Sequence, residues 1–354
     1  MHGFSNANTF LMFAFLTVVL SMSFWWRDVI SEGITHFFFN SILSKYILCI
    51  TRAIPNDKLK DFFIDNKYES IPNIPDDQLG FYLAGLLEGD GHISLPFLGK
   101  TILNRVLNPR IVFTSHKNDL PLYAYIQRRL GGIGRFQLVG DNNIRYIIGD
   151  IKGLLHFINL VHGKLRTPKN KTFNELIEFL NKKYFLSLLN SNLDKSNLLE
   201  NSWLTGFTEA DGHFGIKIVE FKPKLDLKRS ISHNISLRFK LDQRLNDKMT
   251  SLSMLSIMEE IANCLSCDVK TYNILKNDRT TMLSLTVTAI DKLKVVINYF
   301  NKYPLLGIKG INFNDFFKVY VMMIYKQHLT KEGRIKIKII QSNMNSRRVL
   351  DRIN

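Results

Sequence analysis

The feature that most constrains this chain is a stretch that occurs twice. FYLAGLLEGDGHI at 81–93 aligns position by position with SWLTGFTEADGHF at 202–214, an offset of 121 residues. Later in each half, INLVHGKLRTPKNKTFNE (158–175) parallels INYFNKYPLLGIKGINFND (297–315) with one residue gained. That alignment places Lys169 beside Lys309 and Phe173 beside Phe313. Self-similarity of this kind marks copies of one folding unit, and 354 residues hold two to three domains. The chain is a tandem duplication.

Hydrophobic periodicity gives each copy the order helix, strands, helix, strands, helix. In the first copy Asp76 or Asp77 is placed to cap a helix running through Gly89. Strands are expected at 92–97 and 109–115, a helix at 119–130, and strands at 134–139 and 144–149. Two helices broken near Pro168 then fill 151–183. In the second copy the strands fall near 213–219, 233–241, 270–275 and 283–289, with a middle helix near 247–264 and last helices near 290–325. Alternating strand pairs and helices predict an α+β fold in which an antiparallel sheet carries helices on one face. The boundaries read as 78–188 and 203–327 for the two domains, with an Asn- and Ser-rich linker at 189–202 and a basic tail at 328–354.

The duplicated motif has a chemical consequence. Gly85 and Gly89, like Gly206 and Ala210, are four residues apart on one helical face, so two such faces can pack backbone against backbone. If the helices run parallel, Asp90 and Asp211 meet at their C-terminal ends. Gly91 and Gly212 follow as candidates for left-handed caps. Two carboxylates at two negative dipole ends repel one another and rise in pKa unless a cation lies between them. With oxygen ligands only, Mg²⁺ is the expected ion, suited to phosphodiester hydrolysis. The weaker motifs carry less. Cys264 and Cys267 form a lone CxxC without a second pair and read as buried small hydrophobes, and His92 and His213 read as first-strand residues.

Both motif stretches resemble the signature of the LAGLIDADG homing endonucleases in their double-motif, single-chain form, over about residues 78–345. The resemblance implies two tandem αββαββα units with pseudo-two-fold symmetry, whose sheets form a saddle along the DNA major groove. It also implies that Asp90 and Asp211 are the catalytic metal ligands, with the backbone carbonyls of Gly89 and Ala210 as further candidates. Glu88 and Glu209 take the first acidic position as supporting residues, and Lys169 and Lys309 stand at helix starts, suited to packing or to phosphate contact. Thr205, Phe207 and Thr208 depart from the family's usual Ala or aliphatic residues, which bears on helix packing more than on metal binding.

Charge supports a polyanionic partner independently. Lys plus Arg number 47 against 31 Asp plus Glu, a net +16, which favours nucleic acid or an anionic surface. Candidate DNA contacts on the expected strands and turns are Arg105, Arg110, Arg135, Gln137, Asn142, Arg145, Lys217, Lys222, Lys224, Arg229, Arg238 and Lys240.

All of that charge lies beyond residue 50. Before it, Thr9–Trp26 is 18 residues long and mostly apolar, just long enough for a membrane-spanning helix. His2–Phe4, the apolar run and Trp25–Gly33 resemble an internal stretch of cytochrome c oxidase subunit III. Residues 1–35 therefore read as an upstream exon fused in frame to an intron's reading frame, with 36–77 as connector and the mitochondrion as the location; a plain signal anchor is the other reading. The function expected is intron homing by a double-strand cut at the intronless exon junction near the codons for Gly33 to His36, performed by a monomer. A maturase that binds its own intron RNA, and a membrane-tethered DNA-binding regulator, are the alternatives.

Overall fold

A computed structural model of the chain describes residues 72–96, 108–221, 233–273 and 280–345. Arg105, Lys222, Lys224, Arg229 and the leader with its expected apolar helix lie outside the described residues. Among the described residues no helix is long and apolar enough to cross a membrane.

The first copy comprises α1 (Asp76–Gly89), β1 (Gly91–Ser94), β2 (Arg110–His116), α2 (Leu120–Arg129), β3 (Arg135–Val139), β4 (Asn143–Ile148), α3 (Ile151–Val161) and α4 (Lys169–Tyr184). The second repeats it with α5 (Trp203–Asp211), β5 (Gly212–Val219), β6 (Asn234–Arg244), α6 (Leu255–Cys264), β7 (Val269–Asn273), β8 (Thr281–Val287), α7 (Ile290–Lys302) and α8 (Ile308–Ile324). A last helix, α9 (Lys331–Ser342), follows. The sheets have the orders β1-β2-β4-β3 and β5-β6-β8-β7, and every neighbouring pair is antiparallel. The duplication in sequence is thus a duplication in topology.

Period-two alternation decides which sheet face is covered. In β2, Ile111 and Phe113 are buried while Arg110 and Thr114 are exposed; in β6, Ile235, Leu237, Phe239 and Leu241 are buried and Arg238 is exposed. The covered faces pack aromatic rings against helices. Phe113 and Tyr146 meet Tyr123 of α2, and Phe113 also meets Phe157 of α3. Phe214 and Phe239 meet Phe300 of α7, and Phe214 meets Phe313 and Phe316 of α8. Each such ring, fully buried, contributes about 1.5–3 kcal/mol.

Several local expectations change. Pro75, not Asp76 or Asp77, precedes the first helical residue of α1, and both acids sit in the first turn, where they complement the helix dipole without a capping hydrogen bond. The middle helix of the second copy starts at Leu255 rather than near 247, because Asp247 draws the backbone N–H groups of Met249 and Thr250 onto its carboxylate and makes a turn first. Cys264 and Cys267 are free and half-buried rather than buried.

The polar stretch 189–202 is held in place. Ser191, Leu198, Asn201 and Ser202 are buried. The buried guanidinium of Arg166 donates to Asp194 at 2.6 Å, to Ser196 and to Glu260 at 2.8 Å, while lying over the Trp203 ring. One side chain thereby ties the first copy, the connecting stretch and α6 of the second copy together.

Candidate active site

The site is built where α1 and α5 pack together. At their start, the Ser202 hydroxyl donates to the Gln78 carbonyl at 2.7 Å; at their end, Gly89 abuts the Ala210 side chain. The two helices are therefore parallel. Between these ends, a Cβ on Gly85 would strike the Trp203 carbonyl, and one on Gly206 would strike the Tyr82 carbonyl. These are the same contact seen from each side of the pseudo-dyad, since both pairs differ by the repeat offset. Only glycine lets the backbones approach this closely.

Asp90 caps α1 and Asp211 is the last residue of α5, so both carboxylates stand at the paired C-terminal ends. Burial and then the charge of Asp211 push the Asp90 carboxyl up to about 7, and burial raises Asp211 as well. The Gln243 amide donates to the Asp211 carboxylate at 2.6 Å. Gly91 and Gly212 do not take the expected left-handed conformation; both have ordinary backbone angles. Their smallness is needed for space, because a Cβ on Gly91 would lie 2.6 Å from the Leu87 carbonyl, and one on Gly212 would lie 2.8 Å from the Thr208 carbonyl and closer still to its methyl.

The motif glutamates bind backbone. Glu88 accepts from the amides of Arg166 and Thr167, at 2.9 and 2.5 Å, and from the Trp203 indole at 2.6 Å. Glu209 accepts from the amides of Leu306 and Gly307, at 3.0 and 2.8 Å. Burial raises the pKa of both, Glu209 to about 7. The bound amides occupy equivalent places in the repeat, two and three residues before Lys169 and Lys309. Each glutamate therefore anchors the start of its own copy's last helix to its own motif helix.

Those helix starts aim the lysines. Lys169 donates to the carbonyls of Leu87, Glu88 and Gly91 at 2.7–2.9 Å, which uses all three of its ammonium donors. Lys309 donates to the Ala210 carbonyl. Burial lowers the Lys169 pKa. Both cations sit at helix C-terminal ends beside the aspartates, where they offset the dipole and the carboxylate charge.

Beside this centre the sheets present their open faces. The ladder registers put Arg110, Arg135, Gln137 and Arg145 on one side of the first sheet, through the pairs Ser94↔Arg110, Thr114↔Arg145 and Gln137↔Arg145. Lys217, Arg238 and Lys240 share the open side of the second, through Lys217↔Ser236, Gly215↔Arg238 and Lys240↔Thr286. Lys240 is paired with Asp242 at 2.6 Å and lies over the Tyr272 ring. Asn142 is exposed in the β3–β4 turn. His213 is half-buried beside the centre, and burial lowers the pKa of both His92 and His213.

Sequence reasoning missed two groups here. Asp119 lines a small cavity with Glu209, His213 and Lys309, and burial raises its pKa; as the last residue before α2 it read only as a helix start. Gln243 lies at the far end of β6, and only strand register brings it to Asp211.

A model of the LAGLIDADG endonuclease family matches residues 83–180 and 204–320. The chain is 28% identical to the cox1 intron-2 37.2 kDa protein of Schizosaccharomyces pombe, over 95% of this chain and 89% of that protein. It is 29% identical to the intron-encoded DNA endonuclease aI3 of Saccharomyces cerevisiae, over 70% of this chain but only 64% of that protein's length. In fold it is similar to the meganuclease I-SmaMI, solved bound to DNA, with a TM-score of 0.58 at 21% identity, covering 76% of this chain and 99% of that one. Two matched repeats, each ending its motif helix in an aspartate at a shared corner, establish that the chain belongs to the LAGLIDADG endonuclease family.

Proposed function

We propose that this endonuclease makes a site-specific double-strand cut in DNA by Mg²⁺-dependent phosphodiester hydrolysis, and that the cut promotes homing of its intron into the intronless exon junction in mitochondrial DNA. The observation that carries the reading is the corner itself: two half-buried carboxylates with raised pKa values, at parallel helix ends, each flanked by a lysine and by an open basic sheet face.

The donor set fits the ion. Among the described residues no group of three or more His, Cys, Asp or Glu side chains converges, so the protein would offer the two hard carboxylates and nearby carbonyls, leaving other positions to water, as Mg²⁺ prefers. Asp90 and Asp211 would hold it. The Gly89 carbonyl is the freer of the two backbone candidates, because the Ala210 carbonyl already accepts from Lys309. When bound, the ion would supply charge stabilisation for the attacking and leaving oxygens.

The chain's own residues do the rest. Asp90 and Asp211 would each serve one strand, while Gln243 holds Asp211 in a fixed orientation. Lys169, with its donors used on backbone, positions the end of α1 rather than a phosphate. The open-face arginines and lysines would neutralise backbone phosphates, and Gln137 has the donor and acceptor needed to read a base edge. The two domains, residues 78–188 and 203–327, would each cover one half of the target as a single polypeptide.

The test is cleavage of a duplex spanning the uninterrupted exon sequence around the codons for Gly33 to His36, with Mg²⁺ and with chelator. A discrete double-strand cut that needs the metal is the expected result. Intact DNA under low-salt conditions where the protein still binds would reject homing at this site and turn attention to the intron RNA as substrate.

A further inference from the structure

The C-terminal tail lines a cleft over the open face of the second sheet. The last turn of α9 and the residues that follow it lie along the free edge of β5, and two side-chain amides satisfy that edge's carbonyls: Gln341 donates to Ile216 at 2.7 Å and Asn345 donates to Phe214 at 3.0 Å. Met344 is buried, and the Asn345 N–H donates to the Asn312 side chain at 3.1 Å, which anchors the segment to α8. The edge strand is thereby covered, as free edges require.

Covering an edge does not account for where the segment stands. Gln341 and Asn345 form one wall of a cleft of about 610 Å³ whose floor is the open face of the second sheet, with His213, Lys217, Arg238 and Thr286. Asn345 and His213 also line the smaller adjoining cavity that contains Lys309 and Glu209. The tail wall is thus continuous with both the basic sheet face and the catalytic corner. Each amide spends an N–H on the strand edge and keeps its carbonyl oxygen.

We infer that Gln341–Asn345 is a DNA-contacting wall of the second half, seating the sugar–phosphate backbone of the half-site that lies on the second sheet against Lys217 and Arg238. This rests on the DNA-endonuclease reading and adds to it a surface outside the two sheets. Complementarity of charge selects the occupant: the floor carries two cations, and the wall adds polar groups without a carboxylate, so a polyanionic backbone is favoured.

A charge-swap pair tests it. Q341K keeps a donor for the Ile216 carbonyl and Q341E does not, so the melting temperature of each is measured and affinities are compared under conditions where both are folded. Their affinities for the target duplex are measured across a salt series, beside R145E on the first sheet, with hydroxyl-radical footprints of each complex. The expected result is that Q341K binds on the order of 10-fold more tightly than Q341E at low salt, that the gap closes as salt rises, and that Q341E loses backbone protection in one half-site only. Equal affinity for the Gln341 pair, with binding weakened by R145E, would overturn the tail wall and leave the sheet faces as the DNA surface. If R145E also bound normally, the sheet-face reading itself would fail.

Discussion

The two copies agree at the helix ends and differ in what surrounds them. Strand registers Gly91↔Phe113 and Gly212↔Leu241 are equivalent, so Ser115 and Gln243 occupy the same place two residues further on. Gln243 reaches Asp211, whereas the shorter Ser115 donates to the His116 carbonyl at 3.2 Å. By the same register Asp119 matches Asp247. Each faces the other copy's corner lysine: Asp119 stands near Ile308 and Lys309, and the charge of Asp247 acts on Lys169 while its carboxylate also holds its own turn. The tail wall stands on the second sheet. Duplication has kept the groups that repeat the backbone geometry, namely the small residues, glutamates, lysines and aspartates, and has let the polar surroundings diverge. The proposed two-strand cut would then be made by a centre with unlike halves.

The helix pairing should be the most sensitive shared element. G206V and G85V each push a branched side chain into a carbonyl of the opposing helix, costing about 3 kcal/mol. Chemical denaturation should show similar losses for the two; a much smaller loss for either would break the dyad argument.

Arg166 should mark the asymmetry in stability. Its repeat counterpart is Leu306, so no second guanidinium performs its role. Removing it by R166M leaves Asp194 without its nearly buried partner, whereas Glu260 is 43% exposed and rehydrates. A loss of about 3 kcal/mol is expected, at the lower end for breaking a buried pair. Calorimetry of R166M showing no loss would mean that the connecting stretch is held by its other hydrogen bonds.

At the centre, Q243A should slow cleavage of one strand about 10-fold to 100-fold, as loss of a group orienting a metal ligand does. S115A should leave both strands within about 2-fold, since its hydroxyl touches no catalytic group. Single-turnover kinetics with each strand labelled separates them; equal slowing of both strands by Q243A would contradict the assignment of one aspartate to one strand.

The pH effect is the smallest. Asp90 has a folded pKa near 7, above its ordinary value, so the metal-free fold favours the protonated acid. The native state then holds an extra proton between about pH 4 and 7, and stability falls as pH rises through that window. In chelator, D90N should therefore melt with wild type near pH 4 and a few degrees above it near pH 8. Adding Mg²⁺ at pH 8 should shrink or reverse the difference. A D90N advantage that was greatest at pH 4 would have the wrong sign.

Much of this was legible in the repeat. The offset of 121 residues pairs Asp90 with Asp211, and spacing alone foretells the small-residue contact that the Gly85–Trp203 and Gly206–Tyr82 approaches realise. The open-face positions of Arg110, Arg145 and Arg238 follow from period-two alternation. Gln243, Asp119 and the tail were not legible for a common reason. Each acts through a register or a docking between segments far apart in sequence, which local pattern does not encode: Gln243 reaches back 32 residues and Asn345 reaches back 131. The roles of Gly91 and Gly212 were misread because glycine after a helix suits either a left-handed cap or a crowded contact, and only the packing around Leu87 and Thr208 distinguishes them.

Asp90 and Asp211, at one helix corner, are proposed to serve one strand each. Strand-resolved cleavage of the exon-junction duplex in Mg²⁺ by wild type, D90N and D211N, with binding measured in parallel, decides this. The expected result is a double-strand cut by wild type and, for each variant, retained binding with cleavage lost or severely slowed, any residual nick falling on opposite strands for the two variants. Full double-strand cleavage by either variant would contradict it.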